Sequence, residues 1–336
     1  MPWVVRDTVR DVNRSVARRW QAVDPMLPDP AALPAGCGEP LAVTAGTGGG
    51  GGRHASDGRP GSGRVTGLGV CVHQQIPPDS LNQTWGPADR FTLVPRLAGQ
   101  DVFTETDELL TLWRDHLGGI GAARGPDTGA SVVWPSRDIT GVRALLKHGL
   151  QPLTVIAARV RPDGPPLPPR GAYGVTIRAA GPEDEEAILD LELRLIRFDM
   201  QFGGPMWRSA TQSLVRADIR DSLRRRTNWT WLAERHGKPV GLLVAQPPQE
   251  SGWIAGMTSF APAAYLQTMF VDAAERGTGI GSGLVKNLHA RLDAADVAVT
   301  LLHHSQVNPL SGPFWNRMGY RPLWTSWEAR PASALR

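Results

Sequence analysis

Four glycines occur within the eight residues RGTGIGSG at 276–283, and this stretch constrains the fold more than any other feature of the sequence. The run AAYLQTMFV at 263–271 precedes it and is typical of a buried strand, whereas GLVKNLHARLDAA at 283–295 has helical spacing. The glycines therefore lie at a strand-to-helix turn. Glycine permits positive φ angles and leaves backbone N–H groups uncovered, so the sequence predicts an anion site at a helix N-terminus.

Two common nucleotide-binding motifs do not fit this turn. The dinucleotide fingerprint G-x-G-x-x-G fails because Ser282 and Leu284 stand where its third glycine is required. The phosphate-loop motif G-x-x-x-x-G-K-[ST] fails because Lys286 follows Val285 and precedes Asn287. Nicotinamide cofactors and nucleoside triphosphates are therefore not expected.

Composition divides the 336 residues into two predicted domains, 1–165 and 166–336. The segment 161–174 contains five prolines and is typical of a stiff connector between domains. The glycine-rich segment 44–63 cannot bury apolar surface, so we expect a disordered loop there. Hydrophobic residues make up 41% of the chain and charged residues 20%, which is typical of a folded, water-soluble protein.

Strand and helix patterns alternate along the second half and predict an α/β (α+β) fold, a mixed central sheet with helices on both faces. The first half repeats part of this order, because residues 134–160 align with 304–330 at an offset of about 170 residues. The first half has no equivalent of the glycine turn, and we interpret it as a degenerate copy. The matched residues are Asp138 with Asn308, Gly149 with Gly319, and Pro152 with Pro322.

The pattern Arg-x-x-Gly-x-Gly at 276–281 resembles the hallmark of the GNAT acyltransferase superfamily. LQTMFV before the turn, Asn308 after the next strand and FWNRMGYRP at 314–322 agree with that family in order and spacing. The resemblance implies two GNAT-like domains, with acetyl-CoA or another acyl-CoA as co-substrate and N-acetyl transfer to an amine as the reaction. It places these residues on the acyl-CoA: Met269, Phe270, Val271, Arg276, Gly277, Thr278, Gly279, Ile280, Gly281, Ser282, Asn308 and Trp315.

Two of these assignments have a plainer alternative. The glycines could form a tight turn that binds no ligand, and Asn308 could cap the short helix that follows it, which is compatible with contact to the co-substrate. The resemblance also implies that a backbone N–H near Met269 or Phe270 stabilises the oxyanion of the reaction.

The family's acid and base residues are only partly matched. The resemblance implies a carboxylate on the strand before the turn, and 263–271 contains none. His303, His304 and Glu234 are the candidate bases, although each could equally be a surface or capping residue. Adjacent strand residues face opposite sides, so at most one of the two histidines should face the acceptor.

The proton donor for the departing thiolate is also missing. Trp315 stands where the family has a tyrosine, and its indole is a poor acid. Ser311 could reach the sulfur and could equally cap the last helix. A coenzyme A thiolate can leave without a donor, so acyl transfer stays the leading hypothesis.

Three functions stay open at this point. The chain could acetylate a small-molecule amine, or it could be a non-catalytic acyl-CoA sensor, which Trp315 and the missing carboxylate favour. It could also modify a protein recruited by the loop 44–63. The acceptor, the acyl group and the oligomeric state are not fixed by the sequence.

Charge and cysteine content exclude other classes of function. The formal net charge of +4 is mild and the arginines are interspersed with acids, so we expect no nucleic-acid partner. No apolar run is long enough for a membrane helix and no cleavable leader is present, which predicts a cytoplasmic protein with no membrane partner. Cys37 and Cys71 have neither redox-motif nor metal-site spacing, so no disulfide and no metal are expected.

Overall fold

The structure is a computed structural model that describes residues 3–38, 40–44, 64–163, 174–226 and 229–336. It divides into two compact units. No helix within these described ranges has the length and apolarity needed to cross a membrane. Unit 1 comprises Met1–Ile76, Pro87–Pro152 and Thr325–Arg336, and unit 2 comprises Pro77–Gly86 and Leu153–Trp324.

Unit 1 is a mixed sheet with helices on both faces. Strands β1, β2 and β3 are antiparallel neighbours, β3 and β4 run parallel, and the end of β11 (Arg321–Ala329) lies beside β4. Trp113 of α2 is fully buried against one face, and Val12 of α1 packs with Leu68 on the other. Its elements are α1 (Trp3–Val23), β1 (Leu41–Thr44), β2 (Val65–Gln75), β3 (Asp89–Leu97), α2 (Val102–Gly119), β4 (Thr128–Pro135) and α3 (Val142–Lys147).

The strands of unit 2 follow the order β5-β10-β9-β8-β7-β6. Leu284 and Leu288 of α7 pack on one face, whereas Ile188 of α4 and Val215 of α5 pack on the other. Its elements are β5 (Gln151–Val160), β6 (Thr176–Ala179), α4 (Glu185–Met200), α5 (Thr211–Arg225), β7 (Trp229–Arg235), β8 (Lys238–Gln246), α6 (Gly252–Ala255), β9 (Ala263–Val271), α7 (Ile280–Ala294), β10 (Val299–Ser305), α8 (Ser311–Arg317) and the start of β11.

The predicted fold class and the internal repeat are both confirmed. The pair α3 and β5 recurs as α8 and β11, close to the offset read from the sequence. Gly149 and Gly319, which the alignment matched, follow these two short helices with φ angles of 81° and 87°. A side chain is disfavoured in this left-handed region, which explains why both copies have glycine there.

The compact units do not coincide with the predicted domains 1–165 and 166–336. Strand β5 belongs mostly to unit 2 because it pairs with β10 from Thr154 with Ser305 to Val160 with Val299. The end of β11, from Thr325, belongs to unit 1. The predicted domains are the two halves of a sequence repeat. The compact units instead follow strand pairing, so that most of β5 belongs to unit 2 and the end of β11 belongs to unit 1.

Most of the predicted loop and connector lies outside the described residues. Residues 45–63 of the loop and 164–173 of the connector are not described. The strands on either side of the glycine-rich segment, β1 and β2, pair antiparallel.

The cysteines form a cluster that their sequence spacing did not predict. Cys37 lies just before β1 and Cys71 on β2, and their sulfur atoms are 3.3 Å apart. Both are free thiols, and His116 of α2 lies beside them. The cluster depends on contacts between segments distant in sequence, which a spacing rule does not detect.

Candidate functional site

The two parallel strands at the centre of unit 2 separate halfway along their length. Strands β9 and β10 pair only from Ala263 with Val299 to Leu266 with Leu302. Beyond those pairs β9 continues to Val271 and β10 to Ser305. The predicted oxyanion donors Met269 and Phe270 therefore lie on the part of β9 that has no β10 partner.

A bulge at Gln267 turns the second half of β9 over. The register between β8 and β9 shifts there, because Val244 pairs with Thr268 and Ala245 with Leu266. Leu266 packs in the α7 core, whereas Thr268 contacts α4. The extra residue inverts the alternation of side chains, so that Phe270 joins the α4 core.

The glycine turn that follows β9 leaves the start of α7 open. Gly277 and Gly279 have φ angles of 81° and 92°, which only glycine adopts readily. No side chain of the described residues caps α7, whose first backbone N–H groups have no acceptor within the helix. A Cβ atom at Gly277 would meet nothing within 4 Å. The turn therefore presents open space beside uncapped N–H groups, which is the geometry of an anion site.

The side chains of this turn are engaged within it. Arg276 Nε donates a hydrogen bond to the Val271 carbonyl, 3.2 Å away, and its guanidinium lies 4.6 Å from the ring centroid of Phe198. Thr278 Oγ1 donates to the Glu275 carbonyl at 2.7 Å. Arg276 and Thr278 are nevertheless exposed, so the backbone and the side chains of the turn are accessible to a ligand.

Asn308 links the loop after β10 to the end of α4. Its side-chain oxygen accepts a hydrogen bond from Leu310 N at 3.0 Å, and its amide nitrogen lies 3.4 Å from Asp199 Oδ1. Asn308 therefore supports the backbone just before α8 but does not cap this helix, because the N-cap is Leu310 and has no side-chain cap hydrogen bond.

Asp199 is a candidate base that the sequence analysis missed. Burial raises the pKa of this carboxyl to about 6, against the opposing effects of Asn308 and then Arg276. A carboxylate with this pKa is ionised at neutral pH and can still accept a proton. Its only sequence signal was a single acid among the aromatic residues of RFDMQF.

Glu192 is a second missed carboxyl, buried on α4. Burial raises its pKa to about 7, and Asp218 adds to the shift. Thr268 Oγ1 of β9 donates to Glu192 Oε1 at 3.4 Å. The sequence signal was an acid in the apolar stripe of the helix, between Ile188 and Ile196 at four-residue spacing.

The two predicted histidines lie at the end of β10 and have different surroundings. His303 Nδ1 is 3.0 Å from Tyr265 Oη, and its ring is parallel to that of Trp253 at 6.2 Å. Desolvation, and then repulsion from His304, lower the pKa of His303, although the residue is exposed to solvent. Desolvation also lowers the pKa of His304, whose Nδ1 donates to the Ser305 carbonyl. Both rings are therefore neutral at pH 7.

Trp315 is buried, and Glu234 is held in an ion pair. Trp315 is only 6% exposed and packs against Tyr320 in the α7 core, with ring centroids 5.3 Å apart. Glu234 pairs with Arg178 at 2.6 Å on β7, which is two strand positions from β9. Ser311 is the first residue of α8. The structure therefore brings Asp199, Asn308 and Arg276 together, and it leaves Glu234 in a separate ion pair.

Comparison with known proteins supports the resemblance. The model of the Acetyltransferase (GNAT) family matches residues 194–320, which run from α4 to the end of the loop after α8. No curated protein sequence matches the chain.

Solved structures with similar folds are distant in sequence. A GCN5-related N-acetyltransferase from Sphaerobacter thermophilus has a TM-score of 0.50 at 15% identity, over 80% of this chain and 78% of that chain. A tandem GNAT protein from the clavulanic acid biosynthesis pathway has a TM-score of 0.45 at 17% identity, over 81% of each chain. A GCN5-related N-acetyltransferase from Kribbella flavida has a TM-score of 0.42 at 15% identity, over 94% of this chain and 93% of that chain.

The family match covers the glycine turn, the separated strands and the segment that ends at Tyr320, and the first of these structures shares the fold. The repeat of α3 and β5 as α8 and β11 shows that the two halves are copies of one plan. Residues 194–320 therefore match the GNAT acetyltransferase family, and the chain shares its fold with a GCN5-related N-acetyltransferase.

Proposed function

We propose that unit 2 transfers an acetyl group from acetyl-CoA to the amine of a small molecule. One observation carries this proposal: the uncapped start of α7 opens beside the end of β9, where β9 and β10 have separated. A phosphate group has N–H donors at the turn, and an extended chain has unpaired strand backbone beside it.

The residues of the site fit an acyl-CoA. The backbone N–H groups from Ile280 to Ser282 would hold the pyrophosphate, and the backbone of β9 near Met269 would hold the extended pantetheine arm. Bound acetyl-CoA supplies a thioester carbonyl that a neutral amine can attack. Every other requirement of the reaction falls to this chain.

The first requirement is to remove a proton from the amine. A primary amine has a pKa near 10.4 and is mostly charged at neutral pH. Asp199 accepts this proton in our proposal, directly or through water, and Asn308 holds the carboxylate in position. His303 and His304 stay candidates for the same relay, because both are neutral at pH 7 and have an accepting nitrogen.

The surroundings of His303 suggest the kind of acceptor. Trp253 is 61% exposed, and Tyr265 and His303 pack beside it. Such an aromatic surface attracts an ammonium group through cation–π contact and covers an apolar body. We therefore propose a small organic amine and not a protein as the acceptor.

Calorimetric titration with acetyl-CoA tests the first step of the proposal. Ser282→Glu adds a carboxylate in the first turn of α7, where the charge suits the helix but repels a pyrophosphate. The matched control is Gln212→Glu, which adds the same charge to the first turn of α5 at an exposed position. We expect one equivalent to bind to the wild-type and control proteins and none to Ser282→Glu. Equal binding to all three would contradict the assignment of the turn.

One observation favours a second candidate, a non-catalytic acyl-CoA sensor. Trp315 stands where the resemblance implies a proton donor, and it is buried in the core. Release of free coenzyme A can be followed with a thiol reagent across a panel of primary amines. Saturable, amine-dependent release supports the transferase. Tight acetyl-CoA binding with no release for any amine supports the sensor.

A further inference from the structure

Two cysteines and a histidine of unit 1 converge at one point that acyl transfer does not use. Cys37 Sγ lies 3.3 Å from Cys71 Sγ and 3.9 Å from His116 Nε2. All three atoms lie within 4.8 Å of one another. Two sulfurs and an imidazole nitrogen form a set of donors that zinc prefers.

The segment around Cys37 is shaped to reach these partners. Cys37 N donates to the Cys71 carbonyl at 2.8 Å, which fixes the segment along β2. Gly36 lies so close that an added Cβ would stand 2.9 Å from the Cys71 carbonyl oxygen. Gly38 has a φ angle of 103°, and an added Cβ would stand 2.7 Å from His116 Cε1. A glycine on each side of Cys37 therefore allows the chain to close over the cluster.

Trp113 provides a further polar contact at the same point. Its indole N–H is buried and has no hydrogen-bond partner of ordinary length among the described residues. It lies beside the Cys71 sulfur. A metal-bound thiolate would accept this N–H, because outer hydrogen bonds to the ligands are a regular part of metal sites.

We propose that Cys37, Cys71 and His116 bind one Zn²⁺ ion. Bonds of about 2.3 Å to sulfur and about 2.0 Å to nitrogen place tetrahedral ligand atoms roughly 3.5–3.8 Å apart. The separations of 3.3 and 3.9 Å lie within about half an ångström of that range, and the third pair, Cys71 Sγ and His116 Nε2, lies within 4.8 Å. Cys37 and His116 are partly exposed, so water can occupy the fourth position. The ion would fix the segment before β1 to β2 and α2.

A thiol pair that forms a disulfide is the competing interpretation. That bond requires an oxidant to take two electrons, and it would leave His116 without a role. Zinc needs no oxidant and uses all three side chains.

Cobalt substitution tests the proposal in the full chain. The purified protein is reduced, freed of metal with a chelator, and titrated with Co²⁺, whose bonds to thiolate give a charge-transfer band that zinc does not. The variants are Cys37→Ser and His116→Gln, which leave the buried Cys71 in place. The matched control is His236→Asn, because His236 is exposed in the β7–β8 turn and asparagine tolerates its φ angle of 51°. Circular dichroism verifies that each variant is folded.

We expect the cobalt band to saturate at one equivalent in the wild-type and control proteins and to disappear when Zn²⁺ is added. Cys37→Ser should abolish the band, and His116→Gln should weaken Zn²⁺ binding at least tenfold, since even residues around a ligand contribute that much. Zn²⁺ should raise the melting temperature of the wild type and not of Cys37→Ser. The proposal is wrong if the reduced protein shows no thiolate band, or if both variants bind like the wild type. It is also wrong if intact mass shows a Cys37–Cys71 disulfide and the reduced protein takes up no metal.

Discussion

Helix α7 of unit 2 follows β9, and the matching helix of unit 1, α2, follows β3. Helix α7 begins at Ile280 without a side-chain cap, whereas Asp101 caps α2. Asp101 accepts hydrogen bonds from Thr104 N at 3.1 Å and Thr104 Oγ1 at 2.7 Å. Glu105 Oε2 accepts the N–H of Gly99 at 3.1 Å. Unit 1 therefore satisfies its turn with its own carboxylates, where unit 2 leaves N–H groups for a ligand.

The strands before the two helices also differ, because pairing is regular in unit 1 and interrupted in unit 2. In unit 1, β2 and β3 pair without interruption from Gly67 with Leu97 to Gln75 with Asp89. In unit 2 the corresponding pair, β8 and β9, contains the bulge at Gln267. The bulge turns Thr268 toward α4, where Glu192 lies. One copy has kept the features of a ligand site, and the other has regular pairing and a capped helix. We therefore expect a single acyl-CoA site per chain.

Asp138 after β4 and Asn308 after β10 are matched positions of the repeat, and they differ in charge. Asp138 of unit 1 forms an ion pair with Arg19 at 2.8 Å, whereas Asn308 of unit 2 donates to Asp199. Arg276 is the charged neighbour among the described residues that lowers the pKa of Asp199. A carboxylate that is desolvated and not ion-paired is a better proton acceptor, because its pKa lies nearer to neutrality.

The largest expected effect is on turnover in Asp199→Asn. We expect kcat/KM for amine acetylation to fall about a hundredfold or more, the usual contribution of a general base. The ratio of wild-type to variant rate should rise with pH through about 6 and then level off, because Asp199 accepts a proton only when ionised. Taking this ratio removes the titration of the amine itself.

The control for this experiment is Asp190→Asn, which removes an exposed acid from the same helix. Its rate should stay within about twofold of the wild type, as for a surface carboxylate with a single weak ion pair. A ratio that does not change with pH would assign the base elsewhere, and His303 would be the next residue to test.

The next largest effect is on binding, when the cap of unit 1 is transferred to unit 2. Gly279→Asp places a carboxylate at the N-cap of α7 and should weaken acetyl-CoA binding about a hundredfold, or about 2.7 kcal/mol. Gly279→Asn has the same shape and the same cost at a φ angle of 92°, but it adds no charge. Calorimetry that shows the same loss for both variants would attribute the effect to the backbone and not to repulsion of phosphate.

Local features of the sequence were sufficient to predict this turn. The strand β9, the glycines and α7 are contiguous, and their periodicity and backbone requirements are properties of neighbouring residues. The repeat was predictable for the same reason, since Gly149 and Gly319 mark equivalent helix ends.

The remaining parts of the site depend on contacts between distant segments. Burial raises the pKa values of Glu192 and Asp199, and Thr268 and Asn308 bond to them from other elements. Cys37 meets His116 across 79 residues of sequence. The assignment of β5 to unit 2 and of the end of β11 to unit 1 likewise depends on which strand edges pair. Apart from the acid in the apolar stripe of α4 and the acid within RFDMQF, these features leave no local pattern in a single sequence.

An effect of comparable size is expected on stability, from the buried carboxyl of α4. Folding raises the pKa of Glu192 from 4.5 to about 7, so its contribution to stability is complete below pH 4.5 and is lost as pH rises through 7. Glu192→Gln has no charge to bury and should raise the free energy of unfolding at pH 8 by up to about 3 kcal/mol, with little gain at pH 4.5. Urea unfolding at both pH values measures this difference.

The comparison residue in unit 1 is Glu105. Burial also raises its pKa, but the N–H of Gly99 opposes the shift by stabilising the charged form. We expect a smaller gain at pH 8 for Glu105→Gln than for Glu192→Gln. Equal gains would show that the hydrogen bond in unit 1 does little to support its charge.

The smallest effect should come from the cap that distinguishes the two turns. Asp101→Ala removes the acceptor for Thr104 N, and we expect the melting temperature to fall by roughly 2–4 °C with no change in acetyl-CoA stoichiometry. Asp101→Asn keeps a side-chain oxygen at the N-cap and should melt near the wild type. Opening α2 in this way does not create a second acyl-CoA site, because Glu105 still occupies the N–H of Gly99 and β3 still lacks a bulge. A second equivalent bound by Asp101→Ala would mean that this cap alone had closed the site in unit 1.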